Sequence, residues 1–253
     1  MATIVANGVE LYYEMKGEGD PIVFSHGWTC DRTVWDSQVD LLSKTHKVIT
    51  YDQRGHGKSS KPENDYSMDT LAMDLYGLLK GLKLDKVTLV GHSMGGFTAL
   101  SFVRDHPEMV SKLVLVDTSA RFSYPLRFQF WLLSHTNSYE KLNLKMIDML
   151  HADGCEPAKQ RSLQRVRNTP KNVVLTCSKE FLTNYDVRRS TPNIKVPTLI
   201  LVGGIDKMTP VSYSRFLNHS IEGSQMTIVP GSRHMTMIDN AKEVNAAIEA
   251  FLA

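Results

Sequence analysis

The 253-residue chain reads as an α/β protein, a mostly parallel central sheet with helices on both faces and a helical insertion in its second half. Three observations predict this. Short continuous apolar runs such as "KVTLV", "SKLVLVD" and "VPTLILVGG" have the pattern of strands covered on both faces. Segments with helical apolar spacing separate them, and that alternation implies parallel pairing with right-handed crossovers. The rhythm then stops from about Ser119 to Ser190, where helical spacing persists without a strand signal over a stretch too long for a loop. Residues 1–118 and 191–253 are expected to form the α/β core, and residues 119–190 a helical cap.

In chain order, "TIVANGVELYYE" alternates about Asn7-Gly8, the pair that most easily takes positive φ, and predicts a hairpin. "PIVFSHG" predicts a buried strand ending in glycine, followed by a helix from about Val34 to Ser43. "HKVITYD" is a further strand running into the glycine- and serine-rich loop "DQRGHGKSS". Residues 69–82 have helical spacing with Asp69 near the start. After the insertion come "VPTLILVGGID", "QMTIVPGSRH" and a last helix, "AKEVNAAIEAFL".

A net charge of +2 gives no reason to expect nucleic acid or an anionic membrane as partner. No apolar run reaches the length of a membrane span, and the N-terminus lacks a secretory pattern, so a cytoplasmic location is the expectation. Cys30, Cys155 and Cys177 are odd in number and widely spaced, which suits reduced thiols better than a disulfide framework or a zinc site.

The chemistry is concentrated in "VTLVGHSMGGFTAL". Gly91, Ser93 and Gly95 form G-x-S-x-G between a buried strand and a helix, the turn that presents a serine hydroxyl at its tip. Small neighbours let strand and helix approach, and the helix N-terminus offers free N–H groups to a developing oxyanion. Serine needs a base and a group to orient that base. Asp206 follows one later apolar run and His234 the last, so both belong at the carboxyl edge of the sheet with Ser93. Asp117, at the end of the strand after the serine turn, competes with Asp206 for the acid role. His92 is expected to point away from Ser93 and to pack or hydrogen-bond locally, while His26 and His56 brace glycine turns.

"FSHGW", "DQRGHGKS", "GHSMGG", "GGIDKMTP" and "GSRH" occur in an order and at spacings that resemble the α/β-hydrolase superfamily, in its serine esterase and enol-lactonase-like branch. The resemblance spans nearly the whole chain. It implies Ser93 as nucleophile, Asp206 as orienting acid, His234 as general base, and the backbone N–H groups of Trp28 and Met94 as the oxyanion hole. The segment with Asp52, Arg54, Gly55, Gly57 and Ser59 looks like the family's structural turn, and the insertion resembles its cap. One position departs: many members have glycine before the last histidine, where this chain has Arg233.

A serine at the turn suits attack on a carbonyl rather than on saturated carbon. The expected reaction is hydrolysis of small to medium carboxylic esters through an acyl-serine intermediate, with no metal or organic cofactor required. The partner is then a small-molecule ester or lactone. Trp28, Phe122, Phe128, Trp131 and Met146 are the candidate lining of the substrate pocket. Lactonases and carbon–carbon bond hydrolases of the same fold are the alternative enzymes, and a hydrolase-fold small-molecule receptor is the alternative outside catalysis, told apart by slow turnover.

Overall fold

The computed structural model describes residues 2–122 and 146–253. Its centre is one eight-stranded sheet in the order β1-β2-β4-β3-β5-β6-β7-β8. The strands are β1 (Ala2–Ala6), β2 (Val9–Lys16), β3 (Pro21–Ser25), β4 (Lys47–Tyr51), β5 (Val87–His92), β6 (Val110–Val116), β7 (Thr198–Gly203) and β8 (Gln225–Val229). β1 and β2 form the antiparallel hairpin, turning at Asn7 (φ 48°) and Gly8 (φ 78°), and β2 also runs antiparallel to β4. Every later pairing is parallel.

The continuous apolar runs do cover two faces, because successive side chains of a strand point to opposite sides. Val23, Leu89, Leu113, Leu115 and Ile200 pack into one core with Leu71, Leu75 and Leu78 of α2 (Met68–Gly81) and Phe97, Leu100 and Phe102 of α3 (Met94–Asp105). Their neighbours Ile22, Phe24, Val90, Val114, Val116, Leu199 and Leu201 pack into the other. There they meet Trp35 and Leu42 from one helical segment and Val244 and Ile248 from the last helix, Ala241–Leu252.

Two local boundaries differ from the sequence expectation. The helix read from Val34 is a 3₁₀ turn at Arg32–Trp35 followed by a short α-helix, Asp36–Leu42. Its start is fixed by Asp31, whose carboxylate accepts the Thr33 N–H at 2.9 Å. The cap of α2 is Ser67, not Asp69: its hydroxyl accepts the Thr70 N–H at 3.0 Å.

Between β6 and β7 the described residues contain helices at 146–150, Glu156–Asn168 and Lys171–Lys179, and no strand. Residues 123–145 of the expected helical cap lie outside the described residues. Among the described residues no helix is long and apolar enough to cross a membrane.

Register aligns the carboxyl ends of five parallel strands. Ser25 pairs with Gly91, His92 with Val116, Val116 with Leu201, and Gly203 with Val229. The loops after β3, β5, β6, β7 and β8 therefore open on one edge. They carry Trp28, Ser93, Asp117, Asp206 and His234 in turn.

Candidate active site

Ser93 stands between β5 and α3 with φ 51° and ψ −115°, a conformation costing a non-glycine residue about 1–3 kcal/mol. The surroundings hold it there. A Cβ on Gly91 would run into the backbone of Gly95, and one on Gly95 into the carbonyls of Ser25 and His26. The two glycines thus let strand and helix close around the turn. Gly96 N–H and Phe97 N–H donate to the Ser93 carbonyl at 2.8 and 3.1 Å, which fixes the first turn of α3.

Ser93 is 9 % exposed as a residue, and its hydroxyl lies 2.9 Å from His234 Nε2. On the other side of the ring, His234 Nδ1 is 2.9 Å from Asp206 Oδ2. The network assigns the protons: Nδ1–H donates to the carboxylate, so Nε2 carries the lone pair that accepts from Ser93. Asp206 is itself fixed by the loop that follows it. Its Oδ1 accepts the Met208 N–H (2.7 Å) and the Thr209 N–H (3.1 Å), and Oδ2 accepts the Thr209 hydroxyl at 2.6 Å.

The charges of this pair are tied together. Burial pushes the Asp206 carboxyl up, but the adjacent imidazole and the donors from His234 and Thr209 outweigh it and hold the group below the usual carboxylate range. Burial pushes His234 down, and Asp206 beside it more than compensates, leaving the imidazole above its ordinary 6.5. Asp117 is in the opposite condition. Fully buried, it accepts from Gly203 N–H (2.8 Å), Thr236 Oγ1 (3.0 Å) and Thr236 N–H (3.2 Å). Burial first, then the nearby Asp206 charge, raises its carboxyl well above the usual range. The structure joins Asp206, not Asp117, to the imidazole.

Met94 is the first residue of α3, where a leading N–H has no acceptor inside the helix. Trp28 lies in the loop after β3, and both residues border the cavity that opens over Ser93. That loop is braced by His26, whose Nε2 accepts the Gln53 N–H at 3.0 Å while Nδ1–H donates to the Gly27 carbonyl at 2.8 Å. Burial lowers the His26 pKa to about 4, so it braces as a neutral ring. "DQRGHGKSS" supplies that scaffold: Asp52 accepts the N–H groups of Arg32 and Lys58, each at 2.8 Å, and Arg54 grips the buried Asp74.

The cavity measures about 30 Å³, room for a water or two, and its described walls are mainly apolar, with Thr29, His92, Ser93 and His234 as the polar side chains. Trp28, Phe122 and Met146 line it as the sequence suggested, whereas Phe128 and Trp131 lie outside the described residues. Leu150, an apolar residue of the insertion, also lines it, and Phe97, Phe181, Met208 and Met235, which do so too, were missed. Phe181 could have been flagged, being one of only two aromatics, with Tyr185, in the later part of the insertion. Cys30 reaches the wall too, but burial pushes its thiol up to about 12, far from the thiolate a nucleophile requires.

Arg233 has a visible task. Its guanidinium donates to the carbonyls of Asp148 and His151 and to the Asp153 carboxylate, closing the carbonyl end of the helical residues 146–150. Behind it, Asp239 accepts from the Arg233 N–H (3.0 Å), the Ala152 N–H (2.9 Å) and His151 Nδ1–H (3.0 Å). Met235 N–H donates to the Leu150 carbonyl at 2.9 Å. The residues flanking His234 are thus bonded to the turn whose side chains roof the cavity.

An open α/β sheet with a serine-bearing strand-to-helix turn, and an imidazole and a carboxylate at the same edge, defines a class of fold and site. A model of the alpha/beta hydrolase fold matches residues 20–241, and the chain belongs to the α/β-hydrolase family. It is 31% identical to a putative non-heme chloroperoxidase of Synechocystis sp., over 96% of this chain and 95% of that protein. Its structure is similar to the enol-lactonase from Burkholderia xenovorans, with TM-score 0.90 and 27% identity over 99% of both chains. It is equally similar to a thermophilic esterase from Thermogutta terrifontis, with TM-score 0.91 and 27% identity over 99% of this chain and 97% of that one.

Proposed function

We propose that the protein is a serine hydrolase of small to medium carboxylic esters, lactones included as cyclic esters. The observation that carries this reading is the unbroken line from Ser93 Oγ through His234 to Asp206, with both hydrogen bonds at 2.9 Å. In the reaction, Ser93 Oγ attacks the carbonyl carbon as His234 Nε2 takes its proton. The N–H groups of Trp28 and Met94 stabilise the oxyanion. The tetrahedral adduct collapses, the alcohol leaves with the proton held by His234, and water, activated by the same imidazole, releases the acid from the acyl-serine.

Asp206 keeps the proton on Nδ1 and stabilises the imidazolium while it exists. The segment 119–190 acts as a cap in this reading, contributing Phe122, Met146, Leu150 and Phe181 to an apolar acyl pocket. The described cavity wall presents mainly apolar side chains around the serine and the imidazole, which suits an uncharged acyl group.

The test is a side-by-side panel of p-nitrophenyl esters, lactones, dienoate ketones, aminoacyl arylamides and a halide-plus-peroxide assay. We expect an acyl burst and steady turnover on short esters or lactones, abolished in Ser93→Ala. Turnover confined to another panel member would replace the ester reading. Slow processing of every member, without steady release, would favour a receptor.

A further inference from the structure

His92, the last residue of β5 and the one before Ser93, is buried and at first sight only fills space beside Trp35. Its ring has one polar partner: Nε2 lies 2.9 Å from the backbone carbonyl oxygen of His234, 142 residues away in sequence. A carbonyl can only accept, so the proton of the neutral ring sits on Nε2 and Nε2–H donates. The other nitrogen, Nδ1, is buried without a partner, so the ring contributes nothing polar except that donor. The tautomer is therefore fixed by the contact it makes.

The ring is also held in place. Its plane stands at 83° to Trp35, centroid to centroid 6.3 Å, and its centroid lies 5.0 Å from that of the His234 ring. Gly27 makes the space: a Cβ there would come within 2.7 Å of His92 Nδ1 and 3.3 Å of Ser93 Cβ. Burial, chiefly, lowers the His92 pKa to about 3, so the donor stays neutral and unaltered across the range in which His234 titrates.

We propose that His92 is a positioning residue for the general base: from inside the serine turn it grips the main chain of His234 and sets the distance between Nε2 of that imidazole and Ser93 Oγ. The proposal rests on the reading of Ser93 and His234 given above. The physical reason is that the nucleophile and base come from loops far apart in sequence. An error of a few tenths of an ångström between those loops weakens proton transfer directly. The adjoining residues hold the loop from the cap side, through Met235 and Arg233. Among the described residues, His92 is the one that ties the peptide of His234 itself to the element that carries Ser93.

The test compares His92→Gln, His92→Asn and His92→Leu in the full chain. Glutamine can place an amide N–H near the present Nε2 position, asparagine places one nearer Nδ1, and leucine has no donor. Active sites are first counted by end-point labelling with a fluorophosphonate, and kcat and KM for p-nitrophenyl butyrate are then expressed per labelled site. We expect His92→Leu and His92→Asn to lose about 10- to 100-fold in kcat with KM changed less than about threefold, and His92→Gln to recover most of the loss. A role in packing alone would lower the number of labelled sites and leave the rate per site intact, which would overturn the proposal, as would equal losses in Gln and Leu.

Should the leucine variant fail to fold, ¹⁵N spectra of the wild-type imidazoles decide. A proton on His92 Nε2 that persists to pH 5 supports the proposal, and one on Nδ1 ends it. Failure of wild-type Ser93 to take the label would instead strike the catalytic reading on which the proposal stands.

Discussion

Two neighbouring strand ends carry an aspartate apiece, and their opposite fates show what the fold selects. Asp117 follows β6 and Asp206 follows β7; each is almost inaccessible, and each accepts several hydrogen bonds from nearby backbone and a threonine hydroxyl. Yet the carboxyl of Asp117 is held well above the usual range, and that of Asp206 below it. Neutral donors are common to both sites. The difference is the imidazole of His234, which touches Asp206 and gives a buried negative charge its counterpart. Burial prepares a carboxyl to be perturbed, and the ionisable neighbour decides the sign.

The comparison breaks most visibly in rate. Asp206→Asn should lower kcat about 10³- to 10⁴-fold, because an amide neither fixes the His234 tautomer nor stabilises the imidazolium. Asp117→Asn should cost less than about tenfold per active site, and the same steady-state assay checks both. The reverse ranking would move the acid to the earlier strand.

In stability the order inverts for Asp117. Its amide nitrogen would face a backbone donor from Thr236 or Gly203, a buried mismatch worth about 1–3 kcal/mol, which denaturant unfolding measures. The pH profile sharpens the contrast further. His234 must be neutral to accept the Ser93 proton, so kcat/KM falls in acid as the ring protonates, on a limb lying above the ordinary 6.5. Removing the Asp206 charge takes away what raises that pKa, so the residual activity of Asp206→Asn should show its acid limb at lower pH. An unmoved limb would mean that another group titrates.

The smallest effect concerns the cap side of the loop. Arg233→Gly, which installs the residue many family members have, should lower kcat about two- to fivefold, since Asp239 still accepts the residue 233 N–H. Asp239→Asn should do more than Arg233→Gly, because it disturbs three donors together.

Much of this arrangement was legible in the chain before folding. The apolar runs of β5, β6 and β7 announce two-sided burial, since period-2 alternation disappears only when both faces are covered. G-x-S-x-G announces the strained serine, because only small residues at 91 and 95 allow the close approach seen there. Asp206 and His234 were readable as residues that follow strands. What was illegible depends on pairs distant in sequence with no local pattern. The imidazole of His92 meets a carbonyl 142 residues on, and Asp239 gathers donors from residues 151, 152 and 233. Main-chain acceptors are present at every residue, so no residue type marks the one that is used. Asp117 was ambiguous for a related reason: a carboxyl at a strand end is identified only by what stands opposite it.

The most direct test of the central claim is mass spectrometry of the intact chain and its peptides after reaction with a fluorophosphonate. The account predicts one phosphonyl group per chain, on Ser93, forming more slowly as His234 protonates and absent from Ser93→Ala. Label on a different residue, or ester turnover that continues in an unlabelled Ser93→Ala chain, would contradict it.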